Sequence, residues 1–231
     1  MSAFLRGLGW LAVITVLGLG GCDEASVKDE DEPSIKITGT SGEEVSLDGT
    51  WEEPCDGDSE GTVVIAGSSI SIDFSDWITE SGCTGTPDFT GEAGFTISYD
   101  QAVTITDWLD DSGASAAPPA GLEEVTEANG MTIVLESDSL TPVTAAGAEA
   151  ANEIEYCGFT DWTVGESKNI LDCFLTDQNG DPVPAEQQES WVLDDSGETL
   201  ALYSSENSVD TTVVDGDGYP TEIINSEPLL K

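Results

Sequence analysis

Ser69-Ile70-Ser71-Ile72-Asp73-Phe74-Ser75 alternates without a break between small or acidic polar residues and large apolar ones. Successive side chains of a strand point to opposite faces, so this period of two gathers Ile70, Ile72 and Phe74 on one buried face. Phe95-Thr96-Ile97-Ser98-Tyr99 repeats the pattern, and Asp100-Gln101 is expected to turn the chain into Val103-Thr104-Ile105. Further strands are expected at residues 61–66, 131–136, 171–176, 190–193 and 199–203, with residues 194–198 as a hairpin turn between the last two. Eight or nine short strands separated by turn signals make the chain all-β, an antiparallel up-and-down barrel or a sandwich. One short helix is expected within residues 141–155, which are rich in alanine and carry Pro142 in a first-turn position. Residues 110–129, acidic and rich in Ala, Pro and Gly, read as a long loop.

Charge restricts the partners. The chain has 231 residues, 47 of them acidic, against five Lys and Arg, for a formal charge of −42. Nucleic acid and anionic lipid surfaces are excluded, because binding phosphates needs Lys and Arg to displace counterions. Self-repulsion on this scale keeps the chain soluble but strains its compact state, which salt or divalent cations relieve.

Cys55, Cys83, Cys157 and Cys173 make an even set once Cys22 is set aside, and in an exported chain such a set implies disulfides. Four cysteines allow three pairings. Cys55 with Cys83 and Cys157 with Cys173 is the preferred one, since near neighbours meet across adjacent hairpins. A loop the size of the second is worth roughly 3 kcal/mol in the chain-entropy model. The cysteine spacings do not suit zinc, and no histidine is present to complete a site.

The absence of histidine also removes Ser-His-Asp and Cys-His catalysis. Asp111-Ser112-Gly113 and Asp195-Ser196-Gly197 share three residues with the aspartic-protease motif, but each follows an aspartate where that family has apolar strand residues. Both are read as turns, and no enzyme is expected. Calcium is the one metal with candidates, at Asp177-Gln178-Asn179-Gly180-Asp181 and Asp215-Gly216-Asp217-Gly218. An EF-hand loop counted from Asp177 would need Gly at position 182 and Glu at 188, where the chain has Pro182 and Gln188. These too are read as polar turns, and no cofactor is expected.

Gly49-Thr50-Trp51, at the start of the β region, resembles the G-x-W motif that opens lipocalin-type barrels. Together with Pro54-Cys55, Tyr156-Cys157-Gly158-Phe159-Thr160-Asp161-Trp162 and Asp217-Gly218-Tyr219-Pro220-Thr221, it resembles small bacterial lipoproteins with lipocalin-like barrels. The resemblance implies an eight-stranded barrel over residues 46–231 whose tryptophan closes the bottom under an arginine from the last strand. No arginine follows residue 6 here, so that closure is expected to be absent or different. A barrel of this size either encloses a small ligand or is filled by its own side chains. A small apolar ligand lined by Ile72, Phe74, Phe95, Ile97, Ile133 and Leu135 is the first expectation. A packed surface-interaction protein is the alternative.

Residues 1–21 carry one charge, Arg6, then an apolar core ending in small residues, which describes a secretory signal. Leu19-Gly20-Gly21-Cys22 resembles the lipobox of bacterial lipoproteins, in which the cysteine sulfur receives the lipid. A diacylated, N-acylated Cys22 would hold the chain on a bilayer without any spanning helix. Residues 22–45 then read as an acidic flexible tether, with about 25–30 Å of reach by coil scaling. The expected location is the bacterial cell envelope, with the outer membrane favoured over the inner. Asp23 resembles the inner-membrane retention signal of enteric bacteria, so the inner membrane stays open. Replacing Cys22 with Ser is expected to move the protein into a soluble fraction or leave it unprocessed. Membrane retention of a correctly cleaved Cys22→Ser protein, seen on fractionation, would refute lipidation.

Overall fold

Alternation builds one continuous wall. A computed structural model describes residues 34–55, 57–78, 82–110, 113–176, 182–205, 213–225 and 228–231. Its first strands are β1 (Lys36–Thr38), β2 (Glu44–Ser46), β3 (Gly49–Glu53), β4 (Ser59–Ala66), β5 (Ser69–Asp76) and β6 (Phe89–Thr104). After them come β7 (Asp107–Leu109), β8 (Ser115–Ala116), β9 (Glu127–Pro142) and β10 (Lys168–Asn169). The last four are β11 (Glu186–Asp194), β12 (Ala201–Ser204), β13 (Glu222–Ile224) and β14 (Leu229–Leu230). Helix α1 (Ala145–Glu153) and the single turn α2 (Leu171–Phe174) complete the described elements, with a 3-10 turn at Tyr156–Gly158.

Eight strands pair in the order β3-β4-β5-β6-β9-β11-β12-β14, every pair antiparallel, and β14 pairs back onto β3. Sequence neighbours within this set are also neighbours in space. The architecture is therefore a closed up-and-down barrel, and the sandwich alternative falls away. β10 adds an extra strand along the upper part of β9. Trp51, Val63, Ile65, Ile70, Ile72, Phe74, Ile97, Met131, Ile133, Trp191, Leu193 and Leu202 form the buried interior.

A second, smaller core lies outside the wall. Val192, Ala201 and Tyr203 alternate with the inward residues of β11 and β12 and pack with Trp108, Leu122, Ala128 and Ile223. The described residues of 110–129, a stretch expected as one loop, instead pack on the barrel through Leu122 and include β8, which pairs with β7. Their last residues already belong to β9.

Where the structure departs from expectation, tertiary pairing is the cause. Asp100-Gln101 makes no turn. β9 runs alongside the whole of β6, so the backbone keeps one partner throughout, and the register slips at a bulge between Tyr99 and Gln101. Tyr99 sits at that slip and is 44 % exposed instead of facing inward. Of residues 171–176, Leu171–Phe174 form α2 instead of a strand, and only Thr176 keeps a bridge, to Pro182. Asn169 accepts the Leu171 N–H at 3.0 Å and starts the turn, which carries Cys173 to Cys157. The helix expected from residue 141 starts at Ala145, because Pro142 still pairs with Phe89 and Thr144 is the residue whose hydroxyl caps Gly147 N–H. β1 and β2 form a hairpin inside the stretch expected as tether, with Ile37 buried in the core.

Both ends of the barrel are closed. At the bottom the Trp51 indole N–H donates to Leu47 O at 2.8 Å, and Ile37 and Leu47 fill the floor. Asp195, in the β11–β12 turn, ties this floor to the wall by accepting from Ser41 N–H at 2.8 Å and Thr40 Oγ1 at 3.1 Å. Any side chain at Gly39 would overlap that carboxylate. At the top, α1, the 3-10 turn and α2 close over the wall, with Ala148, Ala151, Trp162 and Ile170 packed into the same core. Disulfides Cys55–Cys83 and Cys157–Cys173 tie this end together in the preferred pairing.

Lys231 supplies the cation that the missing arginine would have brought. Its ammonium lies 5.2 Å from the Trp51 ring centroid and donates to Asp48 O. Lys231→Met keeps the alkyl stem but loses the cation, and is expected to destabilise the fold by about 0.5–1 kcal/mol. Urea midpoints of the wild type, Lys231→Met and Lys231→Arg test this, with the arginine variant expected to match the wild type.

Candidate ligand site in the barrel interior

A small apolar chamber lies in the middle of the barrel. Val63, Ile65, Ile70, Ile72, Phe95, Ile133, Trp191 and Leu229 line it, and its volume is about 20 Å³. Of the six residues expected to line a ligand, Ile72, Phe95 and Ile133 surround this chamber. Phe74 and Ile97 are buried elsewhere in the same core, and Leu135 packs against it. The alternating pattern therefore found the correct face, but it could not say where along that face space remains.

Two carboxyls share the interior. Glu189 lies on the inward face of β11 with Trp191 and Leu193 and is 1 % exposed. The Trp191 indole N–H donates to its Oε2 at 2.8 Å. Burial pushes the Glu189 carboxyl up to about 7, against the smaller opposing effect of that hydrogen bond.

Asp138 has no such partner. It is 2 % exposed, and neither carboxylate oxygen has a hydrogen-bond partner. Burial alone raises it to about 8. The Tyr156 hydroxyl is raised as well, first by burial and then by the Asp138 and Asp76 carboxyls, so these groups are within electrostatic reach of one another.

A bulge explains why an aspartate is inside at all. Met131, Ile133 and Leu135 face inward, and strict alternation would next turn Ser137 in and Asp138 out. Gly94 pairs with Ser137 but Phe95 pairs with Leu135, so Glu136 is an extra residue on β9. One inserted residue exchanges the faces of everything beyond it, and bulges are frequent where a side chain is re-aimed beside a site. Asp138 and Leu140 consequently point inward. Asp138 lies across from Ala93, which in turn lies across from chamber-lining Ile72.

The other sequence candidates resolve as structure. Asp215 accepts from Asp217 N–H at 2.9 Å and Tyr219 N–H at 3.0 Å, which makes that run a turn. Residues 177–181, 111–112 and Cys22 lie outside the described residues. Among the described residues, no group of three or more His, Cys, Asp or Glu is placed to hold a metal ion. Lys168 is engaged with Asp161 at 2.9 Å and lies over the Phe159 and Trp162 rings. Neither interior acid was singled out from sequence. Glu189 was detectable, because it shares the parity of Trp191 and Leu193; Asp138 was not, because its inward position depends on the bulge.

No protein-family model matches the chain, and no characterised protein matches it in sequence. Its chemistry has to be read from the interior itself.

That interior sets an unusual pH dependence. Above the ordinary carboxylate range, folded Asp138 up to about 8 and folded Glu189 up to about 7 hold protons that the unfolded chain has released. Stability therefore falls as pH rises through this window, with about 1.4 kcal/mol at stake for each pH unit per group. The thermal midpoint is expected to be higher at pH 5 than at pH 8.5. Asp138→Asn is expected to flatten this slope, and an unchanged slope would show that surface repulsion alone produces it.

Proposed function

We propose that this chain is a lipid-anchored, non-enzymatic protein of the bacterial cell envelope whose barrel is a binding module for a small ligand. The observation that carries the binding reading is the pairing of an apolar chamber with an unpartnered buried carboxyl in one interior. A core that only filled space would gain by replacing Asp138 with an apolar residue, since burying a polar group without a partner costs about 1–3 kcal/mol. Buried polar groups in folded proteins nearly always have partners, and an exception points to a missing one. The apolar segment before Cys22 and the even set of disulfide cysteines support export and anchoring.

The chamber's size supports the packed alternative. A drug-sized ligand occupies a pocket of about 300–1,000 Å³, whereas about 20 Å³ is open here. A ligand must therefore be small, and the surrounding side chains must yield to it.

Titrating 1-hexanol into folded protein separates the readings, using the processed chain (residues 22–231) with Cys22→Ser so that no detergent is needed. The binding module predicts a saturable shift of the Trp191 indole N–H resonance, since Trp191 lines the chamber. If that resonance does not shift saturably while circular dichroism shows an intact fold, the barrel is a packed scaffold.

A further inference from the structure

Resting on the binding reading above, the geometry points to a ligand class: we infer that the chamber takes a small amphiphilic amine, with its apolar body against Ile72 and Phe95 and its ammonium group on Asp138. The interior offers the unpartnered oxygens of Asp138, while the one buried indole N–H without a partner, that of Trp77, belongs to a residue outside the barrel core cluster. Both Asp138 oxygens lack partners, whereas Glu189 already receives the Trp191 indole N–H. What Asp138 lacks is a group that donates hydrogen bonds and tolerates a carboxylate, and an ammonium does both.

No lysine among the described residues competes for it. Lys36 lies on the exposed face of β1, Lys168 is held by Asp161 and two aromatic rings, and Lys231 caps Trp51. The same distribution argues against an anionic ligand, since nothing cationic faces the chamber.

Position agrees with chemistry. On the inward face, Asp138 and Ala93 form the cross-strand pair directly above Phe95 and Leu135, and Phe95 lines the chamber. Ala93, between Asp138 and chamber-lining Ile72 on the sheet, contributes only a methyl group; the carboxyl does not itself line the chamber but lies one inward step above it. The Glu136 bulge provides this placement. Without it the aspartate would stand in solvent, where an unpartnered carboxylate costs nothing.

Ionisation then follows binding. Burial pushes the Asp138 carboxyl up to about 8, which favours its protonated form at neutral pH. An arriving ammonium favours the carboxylate, and the proton leaves to solvent. Amine affinity should therefore rise with pH through this range. The titratable group that feels Asp138 is the Tyr156 hydroxyl from the cap, which also feels the Asp76 carboxyl at the end of β5. Burial raises Tyr156 above the working range, so it stays neutral. Ala93 of β6 and Ile170 at the start of α2 bring no charge.

Three probes of one chain length test this on the processed chain with Cys22→Ser: n-hexylammonium, 1-hexanol and n-hexanoate, by calorimetric titration at pH 8.5 and 6.0. At pH 8.5 hexylammonium is expected to bind at least tenfold tighter than hexanol, a difference of about 1.4 kcal/mol, with hexanoate weakest. The preference should shrink at pH 6.0. Asp138→Asn should reduce hexylammonium to the level of hexanol, and Glu189→Gln should leave the preference in place. Equal binding of hexanol and hexylammonium at both pH values would overturn the amine assignment, leave the binding module standing and make water the partner of Asp138. Loss of the preference in Glu189→Gln but not in Asp138→Asn would move the counter-ion and overturn it too. Saturable binding of none of the three would remove the module itself. Should Asp138→Asn fail to fold, the wild-type comparison at the two pH values, read with Glu189→Gln, decides the question.

Discussion

A β-strand has two faces, and inserting one residue exchanges them. That constraint governs this molecule more than any single contact does. Alternation from β3 to β6 turns every second side chain into the barrel, and among the described acidic residues only Asp88, Asp138 and Glu189 are buried. The Glu136 bulge on β9, one of two slips between β6 and β9, then breaks the rule and puts an acid where alternation would have put a serine.

Cations are scarce, and the fold uses them on aromatic rings. Lys231 lies over Trp51 at one end and Lys168 over Phe159 and Trp162 at the other. In both places a charge at an edge of the core meets a ring face instead of standing free in solvent, and each also finds an oxygen, Asp48 O or the Asp161 carboxylate. Both ends of the barrel are thus fastened by the same device. The outer wall keeps an almost unrelieved negative field, with consequences for every approaching ion.

Much of the architecture was legible in the sequence. The segment Ser69–Asp76 reads as a strand because Ile70, Ile72 and Phe74 leave no helical alternative, and it is one. The disulfide pairing was accessible because near cysteines flank adjacent connections. What stayed hidden was non-local. Asp100-Gln101 has the composition of a turn, and only the presence of β9 alongside makes it a bulge. Leu171-Asp172-Cys173-Phe174 alternates like a strand, but a cap fixed by Asn169 and a disulfide curls it into a turn of helix. Asp138 looked like one acid among many, since its inward direction is decided by a register slip that no local pattern announces.

The β1–β2 hairpin has a further consequence, for orientation. Ser34, the first described residue, bonds the Asp48 side chain beside the floor of the barrel, and Leu47 N–H bonds Ile35 O next to it. Everything N-terminal to Ser34 is therefore attached at the end closed by Trp51. The disulfide-bonded cap closes the opposite end, and Asp138 lies between the chamber and that cap. If Cys22 carries a lipid, the floor is the end of the barrel that the anchored segment joins, and the disulfide-bonded cap is the end left free of that attachment.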